Sequence, residues 1–305
     1  MSSGAGPASA SPNSFSPMSW RDQLVAVGIA IVWGLSFIAI RWGVDDTPPL
    51  LLAGLRFVAV AFPAILFFRP PRAPAWIVIG YGLAIGVFQF GLLFAAIRMG
   101  MPPGLSSLIA QAQVFFTVAF AWLAMGQRPT LAQMIGGGIA FAGVALIASE
   151  RTAGAELVPF LMVVGCAASW GVGNILGKKA GRVDMTGFTV WSSLAAPLPL
   201  FGLSLMIEGR AGFASLLSPT WSLVGVIAYL AYLATLFGYA TWAKLLSRHP
   251  AAEVTPFALL VPVFGMASSA IVFGERASAV EWMGAGLVLA GLSWNVFGPR
   301  LRRPA

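Results

Sequence analysis

Ten stretches of this chain run almost without charge for the length a helix needs to cross a bilayer, and nothing else in the sequence constrains its fold so strongly. They fall at 23–40, 47–68, 73–97, 99–127, 129–149, 157–177, 185–207, 211–243, 254–274 and 282–299, with Arg56 the one charge among them. A bilayer core asks for about 20 mostly apolar residues per helix, because unpaired backbone groups are too costly in hydrocarbon for irregular chain to cross. Only 9% of the 305 residues are charged and 58% are hydrophobic, whereas a soluble domain carries about 25% charged residues. The expected fold is therefore an all-α integral membrane protein of ten transmembrane helices, separated by punctuation such as Arg69-Pro70-Pro71-Arg72, Met101-Pro102-Pro103 and His249-Pro250.

A single cysteine, Cys166, allows no internal disulfide or multi-thiolate metal site, and a single histidine, His249, allows no His-pair metal chemistry within one subunit. No metal, cofactor or catalytic residue is expected. The net charge of +8 comes without basic runs interleaved with aromatics, so the implied partner is the lipid bilayer and not nucleic acid. Residues 1–22, rich in Ser, Pro, Gly and Ala, are expected to form a disordered tail and not a signal peptide, and 299–305 a basic cytoplasmic tail. Placing the N-terminus in the cytoplasm puts twelve Lys and Arg inside and five outside (Arg41, Arg98, Arg151, Arg210, Arg276). Positive-inside bias therefore expects both termini in the cytoplasm.

A shift of 137 aligns Gly28, Ala30, Trp33, Gly34 and Ile38 with Gly165, Ala167, Trp170, Gly171 and Ile175. A shift of 148 aligns Gly126, Arg128, Gly136, Gly138, Ala142 and Gly143 with Gly274, Arg276, Gly284, Gly286, Ala290 and Gly291. The chain thus reads as two five-helix repeats, 23–149 and 157–298. An odd number of spans inverts the second repeat, the plan of many secondary carriers with a site near the midplane. Glycine spacing alone would also serve helix packing; the paired Trp-Gly dipeptides argue for repetition.

These residues resemble the EamA family of the drug/metabolite transporter superfamily. The resemblance rests on Val32-Trp33-Gly34-Leu35-Ser36-Phe37, Pro48-Pro49 followed by Leu55-Arg56-Phe57, the run GMPPGLSSLIAQAQVFF at 100–116, and Gly274-Glu275. Within that family the chain is similar to bacterial exporters of amino acids and their metabolites, of the O-acetylserine/cysteine type. The resemblance implies an inner-membrane exporter of small neutral amino acids, with aromatic amino acids and then drugs as alternatives. Gln127 departs from the family pattern, which often places Glu after the glycine.

The candidate substrate-binding residues are polar or aromatic groups held in apolar spans. Trp33 and Phe37 in the first helix, and their repeat mates Trp170 and Asn174 in the sixth, are four apart and share a face. An amide in hydrocarbon needs partners, which a substrate's ammonium and carboxylate could supply. In the fourth helix Ser106 and Gln113 share one face and Ser107 and Gln111 another, and either could line a cavity. Gln89 is the isolated amide of the third helix. Tyr232, Thr235 and Tyr239 follow a 0, 3, 7 spacing that predicts one polar-aromatic stripe. Arg56, seven residues into its helix, lies about 10 Å from the outer end. That depth allows snorkelling onto helix-end carbonyls, with capture of a substrate carboxylate as the alternative.

A membrane-embedded enzyme would need a nucleophile and base or a metal cluster, and a channel would show rings of charge. The spans carry neither. Without a nucleotide-binding loop, and with Glu253 and His249 at the ninth helix's cytoplasmic start as its nearest titratable groups, the chain reads as a gradient-driven carrier.

Overall fold

The computed structural model describes residues 18–151, 156–217 and 219–301, and helix is the only regular secondary structure among them. The first seventeen residues of the expected tail, the last four of the chain and positions 152–155 of the loop between the halves lie outside the described residues. The main helices are α1 (Trp20–Asp46), α2 (Pro49–Leu66), α3 (Ala75–Arg98), α4 (Pro103–Met125), α5 (Leu131–Arg151), α6 (Leu157–Lys179), α7 (Met185–Ile207), α8 (Trp221–Arg248), α9 (Thr255–Phe273) and α10 (Ala279–Leu301). Among the described residues, nine helices, α1 to α9, are long and apolar enough to cross a membrane. The 23-residue α10 lies along α5.

Caps and prolines set where these helices start. Ser19 caps α1 by accepting from Asp22 N at 3.2 Å, so the helix begins before the apolar stretch does. It also runs past that stretch to Asp46, carrying an Arg41–Asp45 pair at 3.3 Å, because a helix continues into the interface where charge is solvated. Pro49 and Pro103 stand in the first turn of α2 and α4, where a missing N–H costs nothing. Asp184 caps α7 and Thr220 caps α8. The expected eighth span at 211–243 is thereby corrected to Trp221–Arg248, with a short helix, Ala211–Ala214, ahead of it. The α4 and α9 helices both end on a left-handed glycine, Gly126 and Gly274, each at φ 66°, a conformation open to glycine without strain.

Four irregularities position the interior. Leu83–Phe90 in α3 and Tyr229–Phe237 in α8 are wound as π-helix, whose wider turns shift every following side chain around the axis. The α4 helix is interrupted at Gln111–Ala112, and α7 tightens into a 3₁₀ turn at Ser193–Ala195 ahead of Pro197.

Glycines let the helices close up. A Cβ at Gly136 of α5 would lie 2.6 Å from Gly291 O of α10, and one at Gly143 2.6 Å from Gly284 O, so the two backbones touch. Trp20, Trp42, Trp76, Trp122, Trp221 and Trp282, all near helix ends, are more than half exposed, as expected of an interfacial belt. Trp33 and Trp170, near mid-span, are instead partly buried and packed on the main apolar core.

Candidate functional site

Arg56 is 96% buried, a full charge held inside the helix bundle. Its Nη2 donates to Thr235 Oγ1 at 2.8 Å, and its guanidinium carbon sits 3.7 Å from the centre of the Phe90 ring. The Nε and Nη1 groups meet no hydrogen-bond partner among the described residues. Among the described residues Arg56 bonds no helix-end carbonyl, so the snorkelling expected from depth alone is corrected: rings of Phe57, Phe90 and Phe94 lie around the cation. Burying a charge without a counter-charge costs several kcal/mol. Cation–π contact with Phe90 offsets only about 2 kcal/mol of that.

Arg56 also lines a narrow cavity of about 10 Å³, room for roughly one water. Four helices line it: α2 with Arg56 and Phe57, α3 with Tyr81, Gly82, Ile85 and Phe90, α7 with Thr189, Ser192 and Ser193, and α8 with Thr235 and Tyr239. Local irregularity brings these groups together. The π-winding of α8 lets Thr235 Oγ1 donate to Leu230 O five residues back, at 2.8 Å, leaving its lone pairs for Arg56. The same winding breaks the predicted stripe: Thr235 and Tyr239 line the cavity, while Tyr232 is 43% exposed with its hydroxyl toward Phe62 O at 3.4 Å. A packed α3 fixes the opposite wall, since a Cβ at Gly82 would fall 2.0 Å from Ser192 O.

The remaining predicted residues lie elsewhere. Trp33 donates from Nε1 to Ala234 O at 2.9 Å and packs on Tyr239 and Trp242, with ring centres 5.6 and 5.2 Å away. Phe37 is buried in the main apolar core, and Trp170 packs against it. Asn174 Nδ2 donates to Gln113 Oε1 at 2.7 Å and Thr117 Oγ1 at 2.9 Å, tying α6 to α4. Ser106 and Ser107 donate to Pro102 O and Gly104 O on their own helix. Because α4 is interrupted at Gln111, the two faces read from an unbroken helical period do not run through it. Gln111 is buried at that break, and Gln89 is buried with Oε1 unpartnered among the described residues.

Sequence reasoning did not single out Thr189, Ser192 or Ser193. Their signal was the i, i+3, i+4 spacing of hydroxyls on one face of an apolar span just before Pro197.

Chemically, the site offers one fixed cation with two free donors, hydroxyl oxygens opposite, and aromatic faces. No Asp or Glu lines it.

Comparison with known proteins agrees with a carrier. The chain is 41% identical over 295 residues to a protein of Salmonella typhimurium named a probable amino-acid metabolite efflux pump, covering 94% of this chain and 99% of that one. An Escherichia coli K12 protein of the same name is 40% identical over 293 residues, covering 94% and 98%. A crystal structure described simply as that of a protein superposes with a TM-score of 0.63 at 18% identity, over 93% of this chain and 99% of the other; that likeness speaks to the fold alone. The EamA-like transporter family matches residues 21–149 and again 157–297. With nearly the whole length matched in two copies, this membrane protein belongs to the EamA-like transporter family and is a transporter, not an enzyme.

Proposed function

We propose that the chain exports amino acids and related metabolites across the bacterial inner membrane by alternating access, with the substrate carboxylate held by Arg56. The observation that carries the reading is the buried guanidinium of Arg56, two of whose nitrogens have no partner among the described residues and which lines a cavity between four helices. A carboxylate would give it both the missing hydrogen bonds and the missing counter-charge. The names of the two relatives that are 40% identical or more point to the same substrate class. The cavity is too small for a substrate as it stands, so binding requires its walls to part, as alternating access supplies.

Short hydroxyl side chains on one wall support small neutral amino acids such as cysteine or O-acetylserine. The rings of Tyr81 and Tyr239 on the cavity favour aromatic amino acids as the second reading. A fixed positive charge with no acid beside it repels cationic drugs.

Ten spans in two inverted halves, 23–149 and 157–298, with a tail before them and a basic tail after, remain the proposed organisation. Its support is a set of contacts that repeat under the two shifts read from the sequence. Gly34 of α1 presses on Phe264 and Gly265 of α9, and Gly171 of α6 presses on their counterparts Phe116 and Thr117 of α4. The Gly136–Gly291 and Gly143–Gly284 contacts exchange in the same way. With both termini cytoplasmic, the inner side carries twelve basic residues against Asp22, Asp184 and Glu253, and the outer side five against seven acids.

Purified protein in liposomes, loaded with labelled cysteine, O-acetylserine or phenylalanine, tests the function. Saturable release of amino acids is expected. Release of cationic dyes alone would contradict it.

A further inference from the structure

The hydroxyl wall of α7 has a polarity that its composition does not reveal. A hydroxyl has one proton and two lone pairs, and in each of these three the proton is already committed to backbone. Thr189 Oγ1 donates to Met185 O at 2.8 Å, Ser192 Oγ to Thr189 O at 3.1 Å, and Ser193 Oγ to the same carbonyl at 2.7 Å. What these oxygens have left for the cavity is lone pairs. Thr235 behaves in the same way on the other side, donating to Leu230 O and accepting from Arg56. Beside the phenols of Tyr81 and Tyr239, the lining therefore has two chemically opposite parts: a guanidinium that can only donate, and the aliphatic hydroxyls of Thr189, Ser192, Ser193 and Thr235, whose protons are committed and whose oxygens are left to accept.

We infer that Thr189, Ser192 and Ser193 receive the substrate's amino group and make the cavity select α-amino acids over the corresponding 2-oxo acids. This rests on the reading of Arg56 as the carboxylate anchor. An α-amino acid carries an acceptor group and a donor group one carbon apart, matching the two parts of the lining. A 2-oxo acid keeps the carboxylate but replaces the donor with a carbonyl oxygen, whose lone pairs would face those of the hydroxyls. The aromatic rings of Tyr81 and Tyr239, also in the cavity lining, add attraction for an ammonium that meets their faces. Because no carboxylate lines the cavity, the ammonium is held by neutral oxygens, which suits a carrier that must release its substrate.

The wall is fixed in place. The 3₁₀ turn at Ser193–Ala195 and Pro197 bend α7 at this point. Gly82 and Gly86 of α3 press on the bend, where a Cβ would fall 2.0 Å from Ser192 O and 2.3 Å from Ala196 Cβ respectively. Phe188, one residue before Thr189, packs edge-on against Tyr81 with ring centres 4.9 Å apart.

Competition in proteoliposomes between 2-aminobutyrate and 2-oxobutyrate, against labelled O-acetylserine, tests the inference. The wild type should prefer the amino acid by about tenfold or more, the order expected when a buried polar partner is left facing a like group. Thr189→Val with Ser193→Ala should bring that ratio close to one. Thr189→Ser, which keeps the lone pairs, should retain it. Melting temperature of each purified variant identifies misfolding, and Ser192→Ala provides a third reading of the ratio if the double variant does not fold. A wild type without the preference, or folded variants that keep it, would overturn the inference. Arg56→Gln separates the two levels: loss of both competitors supports the anchor, while unchanged binding of both removes the anchor reading, whatever the wall variants do.

Discussion

Arg56 lies with its guanidinium carbon 3.7 Å from the centre of the Phe90 ring of α3, two of its nitrogens meet no partner among the described residues, and it lines the cavity between α2, α3, α7 and α8. Stacking and forked donation both depend on a planar guanidinium. Arg56→Lys keeps the charge but loses the fork and the stacking. It should reduce the apparent affinity for amino acids by about tenfold or more, the cost of one good charge-assisted hydrogen bond. Titration of counterflow against substrate concentration measures it, and unchanged affinity would mean that charge alone is recognised.

Asn174 is expected to act as a bridge between helices. Its amide holds Gln113 and Thr117 of α4, and removing it leaves those groups unpaired. Asn174→Ala should cost about 1 kcal/mol of stability and lower the melting temperature, with substrate affinity in the surviving protein close to normal. Loss of affinity at an unchanged melting temperature would instead put Asn174 in the substrate path.

The glycine contact between α5 and α10 gives a paired prediction. Gly143→Val should sharply reduce folded yield, because even its Cβ would meet Gly284 O at 2.6 Å and Leu287 Cβ at 2.9 Å. Gly138→Ala, on the same helix but facing open space, should be tolerated. Yield after detergent extraction compares them, and equal yields would argue against close α5–α10 packing in the membrane.

The all-helical, many-span character was legible because hydrocarbon permits so little else; ten spans were expected, and nine helices among the described residues are long and apolar enough to cross. Helix ends were less so: charge marks where a span leaves the apolar core, while Ser19 and Thr220 decide where winding starts. At the site, Arg56 stood out as the one charge in a span, yet its depth could not say which way it pointed. The rings of Phe57, Phe90 and Phe94 decide that, and they come from two helices. Tyr232 and Thr235 share a face only if α8 keeps a period of 3.6 residues, and the π-wound Tyr229–Phe237 segment does not. Nothing in the local sequence announces that segment.

Orientation can be checked with single cysteines, because Cys166 is fully buried and should stay silent. A cysteine at the exposed position of Asp46, on the proposed outer side, should react with an impermeant maleimide in intact cells. One replacing the exposed Ser247, on the proposed inner side, should react only after permeabilisation. The reverse pattern would invert the proposed topology.

The central claim is that the buried charge of Arg56 is kept for the substrate and not for the fold. Arg56→Met tests it most directly, with melting temperature and amino-acid transport measured on the same preparation. An apolar residue of similar length removes an uncompensated charge, so the melting temperature should hold or rise. Transport should be lost, as should the stabilisation by ligand, which for a wild type at a hundredfold excess over Kd is about 2.7 kcal/mol. A variant that melts well below the wild type yet still transports amino acids would show that Arg56 serves the fold, and would contradict the account.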